Sequence, residues 1–485
     1  MVHLGPKPPQ HRKGTFTDVS PELLSVLKQL EQEFSVSGET LRKIVNHFIT
    51  ELDKGLSKKG GNIPMIPGWV MDFPTGEETG DYLAIDLGGT NLRVVLVKLG
   101  GNRDFDTTQS KFPLPEHMRT AKSEELWSFI ADCLKKFVDD LYPQGCKEPL
   151  PLGFTFSYPA SQNSITEAVL QRWTKGWAID GVEGKDVAPM LQDAIQKVGV
   201  PIKVVAIIND TVGTLVASRY TDPEAKLGLI FGTGVNGAYY DVVKDIPKLE
   251  GKTADDVDPD SPMAINCEYG SFDNELVVLP RTKYDVRVDK ESPRPGQQSF
   301  EKMNSGYYLG ELLRLVLLDL AEERHLIFKG QNLDKLNEPY ILDTSFPAKI
   351  EEDPFENLED VAELFQAQLG IQTTVPERKV IRRIAELIGE RSARLSVCGI
   401  AAICKKRGYK TAHCAADGSV YQKYPEFKTR AAKSLRDIFE WPSDLKEDPI
   451  VIVPAEDGSG VGAAIIAALT EKRLKEGKSV GIRKD

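Results

Sequence analysis

Residues 83–97, LAIDLGGTNLRVVLV, run from an apolar strand through a glycine turn into a second apolar strand, with one carboxylate, Asp86, closing the first. Gly88 and Gly89 accept backbone conformations that other residues avoid, and they carry no side chain to block an approaching group. Such a turn leaves N–H groups pointing into a concavity that suits a phosphate chain. Thr90 and Asn91 add side-chain donors, and Arg93 adds a fixed positive fork. Asp86 then stands where it can hold Mg²⁺ through water, because Mg²⁺ gives up its waters reluctantly. The competing reading is an ordinary hairpin whose glycines only turn the chain. The rest of the chain decides between them.

A chain of 485 residues exceeds what one core holds and implies two or more globular units. Hydrophobic residues at 41% and charged residues at 27% describe a folded chain, not a disordered one. The net charge of −11 argues against a surface that binds nucleic acid directly. Six cysteines show no C-x-x-C pair or framework spacing and read as reduced thiols of a cytoplasmic protein. The histidines lack ligand spacing, so no tightly held transition metal is expected. No apolar run approaches the roughly 18 residues that span a bilayer. The start, MVHLGPKPPQHRKGT, is basic and proline-rich without an apolar signal core. Residues 1–17 read as a mobile tail. Its cluster His11-Arg12-Lys13 before Thr15 is either a handle for a kinase or an import receptor, hence a nuclear fraction, or a plain solvated segment.

Ser20 and Pro21 open a helix carrying Leu23, Leu27 and Leu30, and a second helix is predicted from about Leu41. Residues 61–80, dense in Gly and Pro, read as a connector into a new unit near Asp81. Beyond the hairpin, Ser123–Leu141 predicts an amphipathic helix, LPLGFTFSYPAS a strand that breaks at Pro159, Lys185–Val198 a helix, and VVAIIND a buried strand. Strands alternating with helices imply an α/β architecture. Asn209 and Asp210 follow that last apolar run, where parallel strands present their ligand sites, ahead of a helix predicted from about Gly213. A carboxylate there also suits a plain helix cap.

A second glycine hairpin occupies Leu229–Val242, LIFGTGVNGAYYDV. Its G-x-G-x-x-G spacing is not a dinucleotide fingerprint, because a strand pattern follows where a helix is required. Two hairpins of one layout suggest two related halves, each supplying donors to one phosphate chain. Residues 244–262 read as an acidic surface loop. AINCEYGSFDN places Asn266 and Glu268 beside Gly270, FEKMNSGYYLGE places Glu301 at the head of a long helix, and Pro376 to about Arg407 is a core helix. The last glycine run, EDGSGVGAA, reads as a helix start packing on adenosine or phosphate; no second βαβ unit follows to complete a dinucleotide domain.

Two phosphate hairpins, a Mg²⁺ carboxylate and a strand-end Asp describe phosphoryl transfer to a small acceptor. Glu268, Glu301, Asn209, Asn236 and Lys175 suit a polyol, since carboxylates accept from hydroxyls while amides and ammonium groups donate. With no candidate histidine nearby in sequence, the general base is a carboxylate, and Asp210 is the choice.

The stretches DLGGTNLR, GFTFSYPASQNSITEAVLQRWTKGW, IINDTVGTL, LIFGTGVNGAY, INCEYG, FEKMNSGYYLGE and EDGSGVGAA, in this order, resemble those of the hexokinase family. The chain is similar to single-unit yeast-type members over nearly its whole length. That resemblance implies a two-domain actin-like α/β fold with a deep cleft, and ATP-dependent phosphorylation of the 6-hydroxyl of glucose and other hexoses. It implies Asp210 as the base, with Lys175 and Arg93 completing the catalytic set. Ser157, Thr174, Lys175, Asn209, Asn236, Glu268 and Glu301 would hold the sugar together with Asp210. Asp86, Gly88, Gly89, Thr90, Asn91 and Arg93 would meet the phosphates and Mg²⁺ from one side, and Thr233 and Gly234 from the other. Ser419, Gly458 and Ser459 would lie by the nucleotide. A small domain of residues 77–209 plus 458–472 would close over a large one of 18–76, 210–457 and 473–485, and a monomer–homodimer equilibrium fits the same resemblance. The rivals are an ATPase of the same fold and a sugar sensor with a regulatory role, with which the basic tail is compatible; phosphorylation of Ser157 would put negative charge into the sugar site and inhibit.

Overall fold

The computed structural model describes residues 15–88, 91–173 and 177–483. The expectations for Gly89, Thr90, Thr174, Lys175 and residues 1–14 of the tail lie outside the described residues. Thr15, at the end of that tail, is tied down: the Lys379 ammonium donates to its carbonyl at 3.2 Å and to the Asp18 carboxylate at 2.8 Å.

Helices α1 (Pro21–Phe34) and α2 (Gly38–Leu56) come first, then a two-residue strand β1 (Ile66–Pro67). A sheet follows from β2 (Thr79–Leu87), β3 (Asn91–Gly101), β4 (Asp104–Pro113), β5 (Leu150–Thr155) and, after the minor ladder β6 (Ala160–Ser161) and β7 (Val169–Leu170), β8 (Ile202–Ile208). Its order is β4-β3-β2-β5-β8. The second sheet takes β1 with β9 (Ala225–Phe231), β10 (Val235–Val242), β11 (Pro262–Asn266), β12 (Ala412–Asp417) and β13 (Ile450–Pro454), in the order β1-β11-β10-β9-β12-β13. In each sheet an antiparallel trio, β4-β3-β2 or β11-β10-β9, is followed by two strands parallel to its first strand in sequence, and β1 adds a short antiparallel edge to the second sheet. The shared layout of the two glycine hairpins therefore extends to a shared sheet topology.

Strand alternation explains why the opening hairpin is apolar on both faces. Leu83, Ile85 and Leu87 point into one core with Trp127, Ile130 and Leu134 of α3 (Ser123–Leu141) and Leu191 and Ile195 of α4 (Val187–Val198). Ala84, Val95 and Val97 belong to the larger second core, which also holds the 33-residue helix Val375–Arg407. No described helix is long and apolar enough to cross a membrane.

Helix α5 (Asp210–Thr221) packs on β9 and β10 of the second sheet and meets the turn Gly458–Gly462 at backbone distance. A Cβ on Gly213 would stand 2.3 Å from the Gly458 carbonyl oxygen, and one on Gly462 would stand 2.1 Å from that of Gly213. The last glycine run thus packs closely on α5, a contact that the sequence reading did not foresee beside the ligand role.

Several predicted boundaries shift, each for a local reason. Helix α2 starts at Gly38, not Leu41, because Ser37 caps it by accepting the Thr40 N–H. The strand expected to reach Pro159 stops at Thr155, and Asp186 caps α4 so that it starts at Val187 rather than Lys185. Helix α5 starts at Asp210 rather than Gly213, with Asn209 as the cap. Glu301 sits on a separate helix, Ser299–Asn304, because extended Ser305 breaks the chain before Gly306–Leu318. The connector holds a strand, β1, paired with β11. The acidic loop is engaged, not free: Asp256 accepts from Ser479 N–H and hydroxyl, and Arg483 reaches Asp255. Its partners belong to the C-terminal segment, which also bonds Asn163 and Ile165 through the backbone.

Candidate active site

The N-terminus of α5 organises the site. The Asn209 side chain accepts the Thr211 N–H at 2.8 Å, as an N-cap should, and Asp210 Oδ1 accepts the same N–H at 2.8 Å. Both readings of this pair hold at once: Asn209 is the cap, and Asp210 is the first helical residue with a partly exposed carboxylate. Thr211 carries the connection onward, since Asn236 Nδ2 lies 3.1 Å from its hydroxyl.

Asn236, on β10, is the centre of a polar net. Its Nδ2 donates to Glu268 Oε1 at 2.9 Å and approaches Asn266 Oδ1 at 2.8 Å, while its Oδ1 accepts the Glu268 N–H at 2.9 Å. Asn266 Nδ2 also donates to Glu268 Oε1, at 2.8 Å. Glu268 takes the left-handed region, φ 56° and ψ 44°, an unfavourable conformation for a residue with a side chain. Gln298 does the same at φ 56°. Both line one cavity of about 450 Å³, together with Ser157, Asn209, Asn266 and Arg172.

Glu301 enters from its short helix, with Oε2 accepting the Val235 N–H at 3.0 Å. Gly234 and Gly270 leave room for it, since Cβ atoms there would stand 2.7 Å and 3.2 Å from the same carboxylate oxygen. Burial pushes its pKa up to about 7; the Val235 N–H and Lys302 pull downward, and the charge of Glu268 adds to the rise.

The first hairpin presents Asp86 at the end of β2, opposite Arg93 on β3 and beside Thr155 on β5. Its turn is tight, with the Gly88 N–H donating to the Asn91 carbonyl at 3.0 Å. The Arg93 fork, expected on phosphate, holds Asp457 in this structure, with Nη1 3.2 Å from Oδ1 and Nη2 on Oδ2. Asp457 also accepts the Gly460 N–H at 3.0 Å, and Thr155 donates to the Ser459 carbonyl at 2.9 Å. Asp457 was missed by sequence reasoning; a carboxylate three residues beyond a strand and immediately before a glycine run was the available signal.

The second hairpin brings Thr233, exposed at its tip, and Gly234 close to Ser419. A Cβ on Gly232 would lie 3.7 Å from the Ser419 N, and one on Gly418 only 2.4 Å from the Phe231 carbonyl oxygen. Gly418 takes φ 107°, a conformation that a glycine at the end of β12 adopts freely.

The structure thus joins Asn209, Asp210, Asn236, Glu268 and Glu301 to one net or its edge and puts Ser157 in the same cavity. It gathers Thr233, Gly234 and Ser419 at the second sheet's strand ends, and Asp86, Arg93, Gly458 and Ser459 at the first's.

Two family models, both described as hexokinase, match residues 26–220 and 226–469. The chain is 79% identical to Hexokinase-2 of Candida albicans and 70% identical to Hexokinase-1 of Saccharomyces cerevisiae, in each case over 99% of both chains. Among solved structures, the hexokinase from Schistosoma mansoni complexed with glucose is similar at a TM-score of 0.81 and 33% identity, over 92% of this chain and 99% of that one.

Proposed function

The chain belongs to the hexokinase family and is a hexokinase, and with that as premise we propose that it moves the γ-phosphoryl group of ATP to the 6-hydroxyl of glucose, with fructose and mannose as further acceptors. The observation that carries this division of labour is the linkage of Asp210 through Thr211 and Asn236 to Glu268, at the edge of a cavity of hexose-holding size.

Asp210 takes the proton of the attacking hydroxyl. Ser157, Thr174, Lys175, Asn209, Asn236, Glu268 and Glu301 hold the sugar, the carboxylates accepting from its hydroxyls and the amides and ammonium donating. Asp86 with Gly88, Gly89, Thr90, Asn91 and Arg93 meets the phosphates from the first hairpin. Thr233, Gly234, Ser419, Gly458 and Ser459 meet the nucleotide from the other side. Lys175 and Arg93 offset the charge of the transferred group, Arg93 by exchanging Asp457 for phosphate. Asp86 offers carboxylate oxygens, which fit a hard cation such as Mg²⁺. When bound, that ion would neutralise charge on the phosphate oxygens.

Residues 77–209 with 458–472 form the small domain that closes on the remainder, and the sugar's own contacts drive the closure. Water, a smaller nucleophile, then meets an unassembled site. Six free thiols fit a reducing cytoplasm, and a monomer–homodimer equilibrium completes the reading. ADP release from Mg-ATP, measured with and without glucose, tests it. ADP together with a sugar phosphate, formed only when glucose is present, is the expected result. Steady ADP formation without sugar would point instead to an ATPase, and no turnover to a sugar sensor.

A further inference from the structure

The cavity wall opposite Asn209 is the segment 62–66, whose Asn62, Pro64 and Ile66 line it. This wall is not held by regular structure alone. Met65 takes φ 47°, in the left-handed region, and only Ile66 and Pro67 pair with β11. Behind the wall stands Lys248, on a single 3₁₀ turn, Pro247–Leu249. Its ammonium donates to the Gly55 carbonyl at 2.9 Å, to that of Pro64 at 2.8 Å, and to that of Met65. Three carbonyls match the three donors of an ammonium, whereas a neutral amine has only two. Gly55 lies in the last turn of α2, where carbonyls lack helical partners and favour a cation. A Cβ on Gly55 would stand 2.3 Å from the Ile63 carbonyl oxygen, so the helix end and the wall are pressed together around this one side chain.

No carboxylate among the described residues forms an ion pair with Lys248. The groups facing it are the Cys267 thiol, beside the wall on the chain after β11, and Lys252. Neighbouring Glu250 turns to Lys58, and Lys54 of α2 turns to Glu51. Burial lowers the Lys248 pKa to about 8, with Lys252 acting in the same direction. The Cys267 thiol is itself raised well above its ordinary value by burial, so it stays protonated over the same range.

We propose that Lys248 is a positioning residue for the hexose pocket: its charged ammonium gathers the carbonyls of Gly55, Pro64 and Met65 and holds the Asn62–Ile66 wall against Asn266 and Glu268. The inference rests on the hexose-site reading above. Loss of its proton leaves one carbonyl without a donor and loosens the wall, so sugar affinity falls on the alkaline side while Asp210 and the phosphate hairpins are untouched.

The test is glucose titration by tryptophan fluorescence on the full chain from pH 6.5 to 9.5, with kcat measured in parallel, for the unmodified protein, Lys248→Met and Lys248→Arg. In the unmodified protein the dissociation constant for glucose rises above pH 8 with kcat level. Lys248→Met, which removes all three donors, weakens binding at pH 7 by about tenfold or more and has no alkaline limb. Lys248→Arg, whose charge persists at every pH used, binds at pH 7 like the unmodified protein and loses the limb. Unchanged affinity in Lys248→Met, or the same alkaline limb in either variant, overturns the role of Lys248 while leaving the hexose site standing. An unmodified protein that binds no glucose overturns both.

Discussion

Arg93 and Asp457 are 364 positions apart in sequence and form one two-pronged contact, Nη1 3.2 Å from Oδ1 with Nη2 on Oδ2. The pair ties the first hairpin to the turn Gly458–Gly462, because Asp457 also accepts the Gly460 N–H. Asp457→Asn is expected to lower stability by about 1–2 kcal/mol, the range for a charged hydrogen bond weakened near the surface. It is also expected to lower kcat/KM for ATP, since the fork is then no longer aimed. A lowered melting temperature with unchanged kcat/KM would confine the pair to structure.

Asp210→Ala is expected to bind glucose and to lose roughly 10³-fold in kcat, within the span attributed to general bases. Glucose binding by fluorescence and ADP release by coupled assay separate the two effects. Retention of a tenth of normal turnover would remove Asp210 from the role of base.

Glu268→Gln is expected to act on binding instead. Its Oε1 accepts from both Asn236 and Asn266, so an amide there turns two good contacts into a poor match. Glucose affinity should weaken by about 1–3 kcal/mol, the penalty for a badly satisfied buried group. Equal affinity in the two proteins would take Glu268 out of the sugar site.

The raised pKa of Glu301 gives a pH dependence with a definite sign. Its carboxyl moves from an ordinary 4.5 up to about 7, so the folded protein binds the proton more tightly than the unfolded chain. The contribution to stability is fully present below about 4.5 and is lost as pH rises through about 7. If sugar hydroxyls donate to the ionised form, binding glucose releases a proton below pH 7 and strengthens as pH rises. Calorimetry in two buffers of different ionisation enthalpy should detect the proton, and Glu301→Gln should abolish it.

Gly462→Ala is expected to destabilise by about 1–3 kcal/mol or more, the range for overpacking, because its Cβ would fall 2.1 Å from the Gly213 carbonyl oxygen. Thermal melting checks this. An unchanged melting temperature would mean that α5 can move away from the turn.

Some of the site was legible early because its signals are local. Glycine turns between apolar strands, the pair Asn209-Asp210 at a strand end, and a cap such as Ser20 each act within a few residues. The boundaries that shifted did so at caps as well, since Ser37 and Asp186 compete with hydrophobic periodicity for where a helix begins. Glu301 was expected at the head of a long helix and sits instead on a short one of its own, because nothing in FEKMNSGYYLGE announces that Ser305 turns extended.

By itself, then, the sequence determined the two hairpins and the alternation of strands and helices, because period-two and helical spacing depend only on neighbours along the chain. Tertiary structure alone decided that Arg93 faces Asp457, that the last glycine run packs on α5, that burial raises the Glu301 pKa to about 7, and that Lys248 stands behind the cavity wall. These depend on burial and on contacts between residues tens to hundreds of positions apart, which no local pattern encodes.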